Sequence, residues 1–163
     1  MKVCFVTTGA TAPFTGLIKS VLQPSSLNAL SKEGYTHLLI QYGSAKEVYT
    51  NSANAANTYL EKVGKEMVID GMDFNSQGLQ EQFKLVQQTS GLAISHAGMP
   101  LQSIHLKCLA MANTFSGSGS ILEALRYQIP LIVVPNTQLL DNHQEELAVA
   151  MERSNYLLQG DVR

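Results

Sequence analysis

Three short segments of the sequence carry groups that can bind anions and hydroxyl groups. Ser95-His-Ala-Gly98 follows an apolar run, and Gly117-Ser-Gly-Ser120 precedes the residues Ile-Leu-Glu-Ala-Leu. Glycines let backbone N–H groups approach an anion, and the start of a helix presents free N–H donors. Further along, Asp141-Asn-His-Gln144 offers carboxylate and amide groups, which can satisfy the hydroxyls of a sugar.

The same residues also have simpler interpretations. Gly and Ser are common in tight turns and at helix N-caps, and Asp141 before a helix is a typical cap. Glu123 is explained equally by the preference of acidic side chains for the first turn of a helix. The segment Gly117–Ser120 lacks the third glycine of a dinucleotide-binding fingerprint and the Gly-Lys-Ser/Thr of a P-loop. Taken singly, the segments leave anion binding and plain capping open.

The elements that would position these segments alternate between strands and helices. The apolar runs predict strands at Val3–Thr7, His37–Tyr42, Met67–Asp70, Leu92–Ser95 and Leu131–Val134. The periodic stretches predict helices at Phe14–Leu22, Ser25–Lys32, Leu79–Thr89, Ser118–Tyr127 and Asn142–Arg153, with Ser44–Thr58 as a loop or a loop containing a helix. This alternation predicts an α/β, Rossmann-like domain with a mostly parallel sheet. Ligands of such sheets bind at the carboxyl ends of the strands, where all the segments should meet.

Composition restricts the class of protein. The chain has 163 residues, is 45% hydrophobic and 15% charged, and carries a net charge of -2. These values fit one globular domain and offer no basic surface for nucleic acid. Cys4 and Cys108 have neither metal-ligand spacing nor the pattern of a disulfide framework, so we expect a reducing compartment.

Metal, cofactor and membrane signals are weak. Asp70-Gly-Met-Asp73 does not have the Asp-x-Asp spacing of a metal pair, and no His/Cys cluster occurs in the sequence. We therefore predict no metal and no cofactor. Because no apolar run approaches the ~18 residues of a membrane span, we also predict no transmembrane segment in this chain.

The order of the motifs becomes informative when residues 99–117 are set aside. The remaining motifs then follow one another in the order TTGAT, SHAG, GSILEAL, PLIVVPN and DNHQ. In that order they resemble the donor-binding half of GT-B glycosyltransferases, which is known as the glycosyltransferase family 28 C-terminal domain. Within that group the chain is most similar to Alg13-type catalytic subunits of UDP-N-acetylglucosamine transferase. Each motif alone would be a weak signal.

The resemblance implies a role for each matched residue. The ribose hydroxyls would bind Glu123. The sugar would bind Asp141, Asn142 and Gln144, with His143 beside them. The donor pyrophosphate would be surrounded by His96, Gly98, Ser118, Gly119 and Ser120. Beside it would lie the early turn formed by Thr8, Gly9, Ala10 and Thr11.

The resemblance also implies a reaction and a partner. It predicts inverting transfer of GlcNAc from UDP-GlcNAc to GlcNAc-diphosphodolichol on the cytosolic face of the endoplasmic reticulum. A separate, membrane-anchored subunit of the Alg14 type would supply the acceptor domain, the membrane anchor and the general base, so no catalytic base is predicted in this chain. Two alternatives remain: a UDP-sugar transferase subunit for another polysaccharide, and an inactive product that still binds the partner.

Residues 99–117 interrupt the phosphate-binding motif. The segment is mostly apolar, and its codons can be written as a short intron whose removal keeps the reading frame. It is therefore interpreted as a retained intron or gene-model error, with a true family insertion as the alternative. The chain is expected to form one nucleotide-sugar-binding domain over 1–163, and its C-terminus is expected to be truncated relative to the family.

Overall fold

The computed structural model describes residues 1–9, 13–97, 119–135 and 158–159. The strands in these ranges are β1 Val3–Thr7, β2 His37–Gln41, β3 Val68–Met72, β4 Leu92–Ala97, β5 Leu131–Pro135 and β6 Leu158–Gln159. The helices are α1 Thr15–Val21, α2 Pro24–Lys32, α3 Lys46–Val63, α4 Gln80–Gln88 and α5 Gly119–Arg126. The predicted helix at 142–153 lies outside the described residues.

The strands form one sheet in the order β3-β2-β1-β4-β5-β6, and every neighbouring pair is parallel. Parallel neighbours cannot be joined by a tight turn, and helices α1 to α5 lie in the connections from β1 to β5. Strand β1 is buried along its whole length because both faces of the sheet are covered there. The predicted α/β, Rossmann-like fold is confirmed.

Helices pack on both faces of the sheet and create two apolar cores. On one face, α1, α2 and α3 pack against strand residues that include Val6 and Ile94. On the other face, α4 and α5 pack against residues that include Phe5 and Ala93. Consecutive side chains of a strand point to opposite faces, so adjacent residues belong to different cores.

Helix α3 is longer than the sequence predicted. The segment 44–58 was expected to be a loop or a loop containing a helix, but the structure has an 18-residue helix at Lys46–Val63. The buried residues of this helix are Ala53, Ala56 and Leu60. Because two of them are small alanines, the contrast between the buried and the exposed face is weak, and the helical period is hard to see in the sequence.

The strand order reverses at β1, which lies between β2 and β4. In open α/β sheets, ligands bind outside the carboxyl ends of the strands at such a switch point. The residues here are the turn after Thr7, the end of β4 at Ala97 and the start of α5 at Gly119. We refer to this region as the carboxyl edge.

Candidate functional site

His96 lies buried at the carboxyl edge, near the end of β4. Its side chain is 7% exposed, and it follows Ile94 by two residues, so it lies on the face covered by α1. The imidazole meets the ring of Phe14 edge-on, with ring centroids 5.3 Å apart and planes at 64°. Phe14 immediately precedes α1, so this helix helps to orient the imidazole.

The turn after β1 passes directly beside this imidazole. Gly9 has a φ of 78°, in the left-handed region, and a Cβ built on it would lie 3.2 Å from His96 Nδ1. Thr8 anchors the turn because its hydroxyl donates a hydrogen bond of 3.0 Å to the main-chain oxygen of Gln41. The structure therefore brings together Thr8, Gly9 and His96, which the sequence predicted as neighbours.

The buried Nε2 atom of His96 has no hydrogen-bond partner among the described residues. Leaving a buried polar atom unsatisfied costs about 1–3 kcal/mol, so such an atom at a ligand-binding edge indicates a group to be bound. Burial lowers the pKa of His96 below its ordinary value of 6.5, which favours a neutral imidazole with one N–H near pH 7.

Helix α5 begins against the residue that precedes His96. The buried Ser95 hydroxyl lies 2.9 Å from the hydroxyl of Ser120, in the first turn of α5. Because side chains alternate along β4, Ser95 faces α5 while His96 faces α1. The predicted residue Ser120 thus contacts Ser95, which the sequence analysis missed as a site residue. Its alternation with His96 was the signal that could have found it.

Glu123 follows Ser120 by three residues on α5, which places the two side chains as neighbours on the helix surface. The Glu123 side chain is half-buried. Burial raises the pKa of its carboxyl group above the ordinary value, and the nearby Arg126 guanidinium offsets part of this rise. An ionised carboxylate only accepts hydrogen bonds, so Glu123 suits a pair of hydroxyl groups close to the start of α5.

The described ranges contain neither a metal-binding cluster nor a membrane-spanning helix. No group of three or more His, Cys, Asp and Glu residues there could hold a metal ion. Cys4 is buried in the core, and burial raises the pKa of its thiol to about 12, so it remains protonated. No helix in these ranges is long and apolar enough to cross a membrane.

An open cavity of about 560 Å³ lies away from these residues. Its lining includes Thr36, His37 and Val68, which lie at the amino ends of β2 and β3. Ligands of this fold class bind at the other ends of the strands. We therefore place the candidate site at the carboxyl edge, where His96 Nε2 has no partner within the described ranges.

Comparison with known proteins identifies the family. A family model, the glycosyltransferase family 28 C-terminal domain, matches residues 114–160. The chain is 36% identical over 160 residues to the UDP-N-acetylglucosamine transferase subunit ALG13 of Eremothecium gossypii. This alignment covers 96% of this chain and 73% of that protein. The chain belongs to the ALG13 family.

Further ALG13 proteins agree in sequence and in structure. The chain is 31% identical over 168 residues to ALG13 of Saccharomyces cerevisiae, covering 90% of this chain and 71% of that protein. It also matches an NMR solution structure of ALG13 with a TM-score of 0.63 and 26% identity, over 99% of this chain and 79% of that one. The family predicted from the sequence motifs is confirmed.

The described part of this ALG13-family chain contains fewer than half of the predicted site residues. Those described lie at the carboxyl edge: Thr8, Gly9, His96, Gly119, Ser120 and Glu123. The others lie outside the described residues: Ala10, Thr11, Gly98, Ser118, Asp141, Asn142 and Gln144. The described residues form two groups, one around His96 and Gly9 and one around Ser120 and Glu123.

Proposed function

We propose that this chain is the donor-binding, catalytic subunit of an enzyme that transfers GlcNAc from UDP-GlcNAc to GlcNAc-diphosphodolichol. Its relatives are named as UDP-N-acetylglucosamine transferase subunits. The observation that carries the proposal is the buried Nε2 of His96, which no residue in the described part of the chain satisfies, beside Gly9 at the switch point of the sheet. Residues 1–163 act as one nucleotide-sugar-binding domain, to which 99–117 is an addition.

In this proposal the donor diphosphate binds between the turn after β1 and the start of α5. His96 donates its Nε2–H to a phosphate oxygen, and the free N–H groups of Gly119 and Ser120 add the positive end of the helix dipole. These donors stabilise the negative charge that develops on UDP as its bond to the sugar breaks. The residues Thr8, Gly9, Ala10, Thr11, Gly98 and Ser118 complete the phosphate-binding turns.

The rest of the donor is held by acceptor and amide groups. Glu123 accepts hydrogen bonds from the ribose hydroxyls, and Asp141, Asn142 and Gln144 bind the hexose hydroxyls. Correct orientation of the sugar exposes its anomeric carbon to an acceptor hydroxyl on the side opposite UDP, so the reaction inverts the configuration. The proton of that hydroxyl is taken by a base on the partner.

The partner completes the enzyme. We assign the acceptor site, the general base and the membrane anchor to an Alg14-type subunit. That subunit recruits this chain from the cytoplasm to the cytosolic face of the endoplasmic reticulum, where the dolichol-linked acceptor is presented. The donor site described above supports one half of this arrangement.

Transfer assays with and without the partner test the proposal. With UDP-GlcNAc and GlcNAc-diphosphodolichol, we expect the disaccharide lipid to form when the chain is combined with the Alg14-type subunit. The chain alone should form none, because it lacks the acceptor site and the base. Robust transfer by the chain alone would refute the partner requirement. Preference for another UDP-sugar or another acceptor would refute the assigned reaction, and partner binding without UDP binding would identify an inactive form.

A further inference from the structure

Three polar side chains lie buried side by side just below the carboxyl edge. Gln41 is 2% exposed, and Thr7 and Ser95 are 0% exposed. Thr7 on the central strand β1 is in register with Gln41 on β2 and with Ser95 on β4. We call Gln41, Thr7 and Ser95 the polar row. It crosses the three strands that meet at the switch point.

The polar row lies on the face covered by α4 and α5. Two residues earlier, the same three strands carry apolar side chains that belong to the core on this face: Leu39, Phe5 and Ala93. Because side chains two apart on a strand share a face, the row is the next layer toward the carboxyl edge. The change from an apolar to a polar layer occurs on all three strands at the same level.

Hydrogen bonds connect one end of the polar row to the turn that contains Gly9. The Thr7 hydroxyl donates to Gln41 Oε1 at 2.6 Å, and the backbone N–H of Gly9 donates to the same hydroxyl oxygen at 3.4 Å. The main-chain oxygen of Gln41 also accepts the hydrogen bond from the Thr8 hydroxyl. The turn beside His96 is therefore anchored to the sheet by Thr7 and Gln41.

The other end of the polar row holds the start of α5. Ser95 is the residue that contacts Ser120, with 2.9 Å between the two hydroxyl oxygens. The Ser95 hydroxyl also lies 3.3 Å from the main-chain oxygen of His96, to which it donates. Either hydroxyl can donate in the Ser95–Ser120 hydrogen bond, and this bond ties the first turn of α5 to β4.

Buried polar groups are costly unless they are satisfied, and apolar side chains could have filled this layer as they fill the layer below. A satisfied polar network specifies one arrangement of the elements that it joins. We propose that Gln41, Thr7 and Ser95 are positioning residues that hold the turn at Gly9 and the start of α5 at the spacing that a diphosphate requires. This inference rests on the proposed function, because the diphosphate is that of the UDP-sugar donor.

Substitutions of Thr7 test the inference in the full chain. Thr7→Val removes the hydroxyl at nearly constant shape, and we expect UDP to bind about three- to tenfold more weakly, as for the loss of one or two neutral hydrogen bonds. Thr7→Ser keeps the hydroxyl and loses a methyl group, so UDP binding should stay within about twofold of the native value. UDP dissociation constants from NMR titration and melting temperatures are measured for both variants.

A variant in the apolar core provides the matched control. Val86 is fully buried on α4 and lies next to Gly91, near the amino end of β4. Val86→Ala should lower the melting temperature while leaving the UDP dissociation constant unchanged. If Thr7→Val does not fold, Ser95→Ala replaces it, since that substitution removes the partner of Ser120 and should weaken UDP binding to a similar degree.

The outcomes separate this inference from the proposed function. Weaker UDP binding in Thr7→Val, or in Ser95→Ala, together with near-native binding in Thr7→Ser, would support the positioning role of the polar row. Native UDP binding in the variants lacking a hydroxyl, or equal weakening in Thr7→Ser, would overturn it while leaving the donor site intact. A native chain that does not bind UDP would contradict the proposed function and this inference with it.

Discussion

Replacing His96 by alanine is expected to weaken UDP binding by about 10- to 100-fold. The substitution removes the Nε2–H that we assign to the donor diphosphate, and a hydrogen bond to a charged group contributes about 1.5–3 kcal/mol. Glutamine, which keeps an N–H donor on a side chain of similar length, should recover part of this loss. Isothermal titration calorimetry with UDP measures the effect, and circular dichroism verifies that the fold is retained.

His37 provides the matched control for this experiment. It is also a histidine at a strand end, but it lies at the amino end of β2, beside the open cavity. Its ring Nδ1 lies 2.8 Å from the Thr36 hydroxyl, which gives it a local partner. His37→Ala should therefore bind UDP as the native chain does. Equal weakening by both substitutions, or native binding by His96→Ala, would argue against the assigned site.

Deleting residues 99–117 is expected to tighten UDP binding by about tenfold or more. We propose that this segment is an addition to the donor domain, because it separates Gly98 from Ser118 within the phosphate-binding motif. If the long connection leaves a tenth or less of the molecules competent to bind, removing it raises the apparent affinity by about that factor. Calorimetry with UDP on the full and the shortened chains measures the change.

The fold already accommodates the shorter connection. Ser95 and Ser120 lie on opposite sides of residues 99–117 in the sequence, yet their hydroxyl oxygens are 2.9 Å apart. Since one residue spans about 3.3–3.6 Å when extended, the few residues left after deletion can join β4 to α5. Replacing 99–117 by a Gly/Ser linker of the same length gives the matched control, which should bind UDP weakly. Weaker binding by the shortened chain would show instead that the segment belongs to the working site.

Strand β1 could be predicted because both of its faces are covered. Val3–Thr7 is a continuous apolar run, and the structure gives β1 these same bounds. Helix α3 could be predicted only in part because its buried residues include Ala53 and Ala56, whose small side chains give little hydrophobic contrast. The prediction of helices therefore depended on how apolar their buried faces are.

Some residues of the candidate site could be predicted from local sequence, whereas others depend on contacts between distant parts of the chain. Gly9 and His96 could be predicted as neighbours because Gly9 follows β1 and His96 lies near the end of β4, and parallel strands end at one edge. The contacts of Thr7 with Gln41, and of Ser95 with Ser120, depend on strand order and register. A single polar residue in an apolar strand does not identify its partner on another strand, so the polar row was missed.

The pKa of His96 is the most direct test of the donor site, because a diphosphate bound at His96 Nε2 should change this pKa. Burial keeps this pKa below 6.5 in the free chain, and a bound diphosphate favours the charged imidazolium. UDP should therefore raise the pKa, and its affinity should increase as the pH falls through the pKa of the complex and level off below that of the free chain. The measurement is an NMR pH titration of the His96 ring in the free chain, with saturating UDP and with uridine. We expect a raised pKa of His96 with UDP and an unchanged pKa with uridine. An unchanged His96 titration in the presence of bound UDP would rule out the assigned contact with the diphosphate.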